Sequence, residues 1–224
     1  MKFGFILIDK PKGMSSHDVV EQLRKVTKIK KIGHAGTLDP IATGLLILGI
    51  GRDATKKLDK FKNLDKEYIA KIKLGSSSET FDTEGKIEER KVEKIPNKKE
   101  IKEALKEFIG KIKQVPPPFS AKKIKGKKAY ELARKGLNVN LKPVEVEIKE
   151  IEILEYKWPY LKIKVRCSAG TYIRSLANDI GEKLNCGGLI EELRRTKIGN
   201  FSVERAKNIS EINSKNWQNF LFYD

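Results

Sequence analysis

The stretch Gly33-His34-Ala35-Gly36-Thr37-Leu38-Asp39-Pro40-Ile41-Ala42-Thr43-Gly44 sets one carboxylate in a glycine-rich bend, beside a histidine and just ahead of a strongly apolar run. Glycine permits backbone conformations closed to other residues and lets a partner approach closely. The residue before a proline is pushed out of the helical region, so Asp39 is expected on extended or turn backbone. A carboxylate presented in this way can be a nucleophile. The same residues can also form an ordinary Asp-Pro turn.

Four further groups carry side chains of chemical interest. Lys10-Pro11-Lys12-Gly13 follows the first apolar run, and Tyr68 follows Asp65-Lys66-Glu67. The segment from Pro117 to Lys128 is basic and includes Phe119, Ser120, Lys122 and Lys123. Cys167-Ser168-Ala169-Gly170-Thr171-Tyr172-Ile173-Arg174 leads from an alternating segment into a helical one. Each has a plain structural reading: a turn, a core tyrosine with its hydroxyl at the rim, a solvated lysine face, a structural ion pair.

The elements that must position these groups are legible as patterns. Phe3 to Ile8 reads as a buried strand. Ser15 and Asp18 stand at capping-box spacing, and Val19, Leu23 and Val26 continue one helical face. Gly33 to Gly44 is expected as a loop, and Leu45 to Ile50 as a core strand. Tyr68, Ala70, Ile72 and Leu74 alternate with Ile69, Lys71 and Lys73, as in a half-buried strand. Gly75 to Gly85 is loop-like. Asn97 and Glu100 begin a helix whose inner face is expected to run through Ile101, Leu105, Phe108 and Ile112. Pro116 to Pro118 stop it. The lysine-dense segment 116–141 holds a short helical pattern closed by Gly136. Val144 to Ile148 and Leu161 to Cys167 are expected as antiparallel neighbours across Trp158-Pro159-Tyr160. Thr171 to Leu184 is helical, and Leu189 to Arg195 is expected as a second short helix. No repeat or linker divides the pattern. Strands and helices without strict βαβ alternation favour an α+β sheet domain over residues 1–224.

Composition narrows the partners. The 224 residues carry 47 Lys+Arg against 30 Asp+Glu, a formal charge of +17. An excess of this size suits a polyanion, because lysine and arginine gain affinity by releasing counterions from phosphates. An anionic membrane surface is the rival partner. No run of about 20 apolar residues spans a bilayer, and the N-terminus lacks the pattern of a signal peptide. Cys167 and Cys186 read as reduced cytosolic thiols, so a cytoplasmic location is expected. His17 and His34 are the only histidines, which leaves no zinc spacing and no metal expected.

The motifs taken in order are more specific than any one alone. Lys-Pro-x-Gly is followed by Gly-His-x-Gly-x-Leu-Asp-Pro-x-Ala-Thr-Gly, Lys-x-Tyr, Pro-Pro-x-Phe-Ser-Ala-x-Lys and Cys-Ser-x-Gly-Thr-Tyr-Ile-Arg. This series, from about Phe5 to Phe201, resembles the TruB family of tRNA pseudouridine synthases. The resemblance implies the pseudouridine synthase fold, a mixed and mostly antiparallel sheet flanked by helices. It implies isomerisation of the uridine at position 55 of the tRNA T-arm loop, without cofactor or metal. Asp39 matches the family's catalytic aspartate, and Tyr68 the tyrosine that stacks on the target base. Arg174 matches the arginine that pairs with the aspartate. His34, Tyr172 and Leu193 match positions near the flipped base or the opened loop. Lys10, Lys12, Lys122 and Lys123 are the expected RNA contacts, and 116–141 a mobile clamp over the RNA. Two departures stand out. Phe119 occupies a position where tyrosine is frequent. The sequence stops at Asp224, soon after Asn208-Ile209-Ser210, so no complete PUA domain is expected. A monomer without an obligate protein partner is expected.

The assigned roles make physical sense. A base inside a folded RNA loop must be flipped out to react, at a cost of a few kcal/mol. Stacking on Tyr68 offsets part of that cost, and a flat imidazole such as His34 can fill the vacated stack. A guanidinium beside Asp39 would favour its ionised form and orient it. Whether Asp39 attacks uracil C6 or ribose C1′ is open. The alternative class is an RNA chaperone that remodels tRNA on the same fold without chemistry. A basic ribosome-associated protein would bind many RNAs and have no base-sized pocket.

Overall fold

A computed structural model describes residues 3–120, 122–124, 126–137 and 139–223. The chain forms two compact units, Met1–Ile69 with Leu193–Asp224, and Ala70–Glu192. Two strands, β4 (Lys66–Leu74) and Gly188–Ile198, each carry the chain across the boundary.

The first unit is built on β1 (Gly4–Lys10) and β3 (Thr43–Ile50), which are antiparallel from Gly4 opposite Ile50 to Lys10 opposite Gly44. A short strand, β2 (Ile32–His34), lies antiparallel along β3 with His34 opposite Leu48. The last residues of Gly188–Ile198 run parallel to β3, with Arg194 opposite Thr43 and Arg195 opposite Gly44. Alternation sends Ile6, Ile8, Leu46, Leu48 and Ile50 to one face, against Val19, Val20 and Leu23 of α1 (Ser16–Thr27) and Trp217. Phe5, Leu7, Leu45 and Ile47 face the other way, against Ala54, Leu58 and Phe61. Phe61 meets Phe5 edge-on at 4.8 Å between ring centroids and Phe201 at 5.5 Å. Both faces are covered, and Phe5–Ile8 of β1 and Leu45–Ile50 of β3 are accordingly near-continuous apolar runs. Each fully buried side chain of this kind contributes roughly 1.5–3 kcal/mol. The expected capping box is present: Ser15 accepts from the Asp18 amide, and the Asp18 carboxylate accepts from the Ser15 amide.

In the second unit the 14-residue strand Val144–Lys157 pairs antiparallel with Tyr160–Cys167 on one side and Gly110–Gln114 on the other. The first pairing is the one expected from sequence. Helix Lys98–Lys106 begins with the expected Asn97/Glu100 capping box, and helix Ile173–Lys183 lies within the predicted Thr171–Leu184. With α+β content and a mixed, mostly antiparallel sheet flanked by helices, the fold class is as expected.

Three local expectations are corrected. Helix Lys98–Lys106 stops before Phe108, and Ile112 lies on a strand opposite Val146. Gly110, at φ +102°, supplies the reversal that ends the helical path. Leu189 to Arg195 is strand, although Leu, Glu and Arg are good helix formers. Sheet pairing, with this strand next to β3 and β4 in the strand order, overrides that propensity. The predicted loop 33–44 begins as strand, since Gly33 and His34 belong to β2.

Candidate active site

In the first unit Asp39 is half-buried on the turn that enters β3. The main chain on either side of it is fastened by different elements. Ser16, the buried first residue of α1, accepts the Leu38 amide at 2.8 Å and donates to the Leu38 carbonyl at 3.1 Å. The Pro40 carbonyl accepts from the Gly13 amide at 2.8 Å and lies 3.5 Å from the Lys10 ammonium. The Ala42 amide closes the turn onto the Asp39 carbonyl at 3.0 Å. Each such bond contributes about 1 kcal/mol net, and leaving one buried group unpaired costs about 1–3 kcal/mol. The carboxylate thus projects from a main chain that is hydrogen-bonded on both sides of it.

The Lys-Pro-x-Gly turn serves this support, and its lysine departs from expectation. Lys10 is fully buried, and its ammonium donates to the Pro11 and Met14 carbonyls at 2.8 and 2.6 Å. The structure therefore places Lys10 under the Asp39 turn and not on an RNA-facing surface. Lys12, two residues on, is exposed.

His34 ends β2 and borders a cavity of about 560 Å³ together with Thr37, Thr55, Lys31 and Lys62. Burial first, and then the Arg195 guanidinium, hold its imidazole below the usual histidine range, against an opposing hydrogen bond with the Gly36 backbone. His34 is therefore neutral at physiological pH, and a neutral flat ring is suited to stacking. Tyr68 is buried near the start of β4. Leu193 is buried as well, and its carbonyl lies 3.4 Å from the Thr43 hydroxyl. Arg194 beside it forks onto both carboxylate oxygens of Asp9 at 3.0 and 2.7 Å.

The second unit holds Arg174, buried in the first turn of helix Ile173–Lys183. Its two terminal nitrogens donate to the Thr80 and Phe119 carbonyls, each at 2.9 Å, and Nη1 lies 3.5 Å from Asp82 Oδ2. Asp82 is 1% exposed, and its Oδ1 accepts from the Thr80 hydroxyl at 2.6 Å and the Glu84 amide at 3.0 Å. Tyr172 is half-buried, and its main chain is clasped by Gln114: the Tyr172 amide donates to Oε1 at 2.8 Å, and Nε2 donates to its carbonyl at 3.0 Å. Lys122 is exposed. The Lys123 side chain lies outside the described ones, as do residues 121, 125 and 138 of the expected clamp.

Sequence reading missed Asp82, Gln114 and Ser16. Asp82 sat in a segment assigned only as loop. Its signal was Ser78-x-Thr80-x-Asp82, whose hydroxyls fold back on the aspartate: Ser78 Oγ donates to the Asp82 carbonyl at 2.6 Å. Gln114 and Ser16 act on main chain 58 and 22 residues away, which no local pattern reports. Among the described residues no cluster of His, Cys, Asp and Glu could hold a metal ion, and no helix is long and apolar enough to cross a membrane.

Comparison with known proteins places this arrangement. Residues 24–173 match the N-terminal domain of the TruB family pseudouridylate synthases, and residues 174–220 match the C-terminal domain described for tRNA pseudouridylate synthase B. The tRNA pseudouridine synthase B of Protochlamydia amoebophila is 49% identical over 94% of this chain and 80% of its own length. That of Aquifex aeolicus is 47% identical over 97% of this chain and 76% of its own. Among solved structures, a chain in a Cbf5–Nop10–Gar1 complex is similar, with TM-score 0.71 and 31% identity over 91% of this chain. This chain spans about half of that one (51%). These matches define an enzyme of the pseudouridine synthase class. The chain belongs to the TruB family of pseudouridylate synthases.

Proposed function

We propose that the protein converts one uridine of the tRNA T-arm loop, position 55, to pseudouridine, with Asp39, Tyr68 and Arg174 as its catalytic residues. The observation that carries this reading is the Asp39 turn, fastened at Leu38 and at Pro40 by two separate elements. The names of the relatives, tRNA pseudouridine synthases at 45–49% identity, supply the substrate class. In the reaction the N1–C1′ bond breaks and a C5–C1′ bond forms. C5 loses its proton and N1 gains one, so neither oxidant nor energy source is needed. A bond from Asp39 to uracil C6 or to ribose C1′ would hold one half of the cleaved nucleoside while the base turns. Tyr68 stacks on the flipped base. Arg174, set by Asp82, Thr80 and Phe119, supplies the compensating positive charge. His34, Tyr172 and Leu193 line the opened loop, and Lys12, Lys122 and Lys123 meet phosphates.

RNA helices are read mainly by shape, so specificity rests on the loop and the flipped uridine. An isolated T-arm stem-loop is expected to react within a few-fold of the rate of the whole tRNA at matched salt. A stem-loop slower by orders of magnitude would show that another part of the tRNA is recognised.

Segment 116–141 is the proposed RNA clamp. Its start is tied down, since Ser175 Oγ donates to the Val115 carbonyl at 2.7 Å and Arg174 to that of Phe119. Beyond it, exposed Lys122, Lys127 and Lys135 repel one another until phosphates neutralise them. Hydrogen exchange is expected to show weak amide protection over 122–137 in the free protein, rising on addition of tRNA. Equal protection in both states would make the segment fixed scaffold.

A further inference from the structure

The reaction proposed above needs the Asp39 turn to be rigid, and one buried cation bears on that rigidity. Arg195 is 1% exposed. Its guanidinium forks onto three main-chain carbonyls. Nε donates to Leu45 at 2.7 Å, Nη2 to Gly36 at 3.2 Å and Nη1 to Thr37 at 3.4 Å. Leu45 belongs to β3, after Asp39 in sequence, and Gly36 and Thr37 come just before it. The fork therefore bridges the two arms from which the carboxylate hangs.

The local backbone is shaped to bring this arginine in. Arg195 stands opposite Gly44 in the parallel register, and Gly44 has φ +103°. A Cβ at Gly44 would come within 2.2 Å of the Arg195 carbonyl oxygen, so only glycine allows the strands to meet there. Gly36 has φ +96°, and a Cβ there would lie 3.7 Å from Arg195 Nη1. Two glycines of the Asp39 motif thus flank the arginine, one at its main chain and one at its side-chain tip. A planar fork with donors on separate nitrogens can reach acceptors on two elements at once. A lysine presents its donors from a single point.

We propose that Arg195 is a positioning residue for this enzyme, holding the Gly36–Thr37 arm and β3 at the spacing that aims Asp39 and His34. It touches no reacting atom and acts through the turn. Its charge also reaches His34, which keeps a depressed pKa through burial and through Arg195, with smaller contributions from Lys62 and His17. This gives a readout beyond folding.

The inference rests on the proposed reaction, so the wild-type protein is first shown to form pseudouridine in unmodified tRNA. Absence of product there overturns the reaction itself. With activity in hand, three measurements decide the role of Arg195. In the free wild-type protein, 15N relaxation is expected to give amides 36–39 order parameters equal to those of β3. Values below about 0.6 for these amides would overturn the proposal whatever the variants do. Arg195→Lys, compared where circular dichroism shows it folded, is expected to lose about 10²-fold in single-turnover rate with RNA affinity within a few-fold. A folded Lys variant with wild-type rate would overturn it. If the Lys variant does not fold, the relaxation result alone decides. Arg195→Met removes the charge, so the His34 pKa is expected to rise toward the ordinary histidine value, while Arg195→Lys leaves it depressed. An unshifted His34 in a folded Met variant would show that the guanidinium does not bear on His34 and would overturn that half of the proposal.

Discussion

Asp39→Asn is expected to bind tRNA within a few-fold of the wild-type affinity and to form no detectable pseudouridine, a loss of at least about 10⁴-fold. The substitution is isosteric. The turn it occupies is held through main-chain atoms of Leu38, Pro40 and Ala42, none of which depends on the Asp39 carboxylate. Fold and binding surface are therefore expected to be preserved, and in the proposed mechanism what is lost is the nucleophile. Single-turnover release of tritium from C5-labelled uridine, beside a filter-binding isotherm, separates the two quantities. Substantial turnover by the Asn variant would remove Asp39 from the mechanism.

Arg174→Lys is expected to be far from conservative, with the rate down by about 10²–10³-fold. The guanidinium serves two carbonyls and a carboxylate from two nitrogens, at Thr80, Phe119 and Asp82. An ammonium cannot reproduce that fork. A lysine keeps the charge facing Asp82 but leaves a buried carbonyl at Thr80 or Phe119 without its donor, at a cost of roughly 1–3 kcal/mol, so a lower melting temperature is expected as well. Asp82→Asn serves as the comparison. Its Oδ1 can still accept from Thr80 and Glu84, while the charge facing Arg174 is removed. If Arg174 matters only for folding, both variants should lose activity in proportion to their melting temperatures. If it supplies charge to the reaction, Arg174→Lys should stay impaired well below its melting point.

The boundary between what could be read and what could not follows the range of the interactions. Helix starts at Ser15 and Asn97 are local, fixed by side chains reaching three residues, and both capping boxes were legible. The alternation at Tyr68 to Leu74 is equally local, and it is observed. The segment Leu189 to Arg195 reads as helix from its residue types, which are overruled by sheet pairing with strands far earlier in the chain, β3 and β4. Lys10, in its Lys-Pro-x-Gly turn, is expected from sequence as an RNA contact, and it is buried. Its burial depends on carbonyls of a turn that sequence does not show folding back over it. The candidate site divides the same way. Asp39, His34 and Arg174 were visible because their motifs are contiguous, and the family match bears out the recognition those motifs gave. Ser16 and Arg195, which hold the surrounding structure, act across long separations and have no local trace, and Asp82 shows only the spacing Ser78-x-Thr80-x-Asp82 while its partner Arg174 is distant in sequence.

The most direct test of the central claim is chemical mapping of pseudouridine in an unmodified tRNA transcript incubated with the purified protein and no cofactor. The account predicts one modified nucleotide, the T-arm loop uridine at position 55, and none when the Asp39→Asn variant replaces the wild type. An unmodified transcript despite demonstrated binding would contradict it and favour an RNA chaperone on the same fold. Modification confined to a uridine outside the T-arm would keep the chemistry and overturn the assigned substrate site.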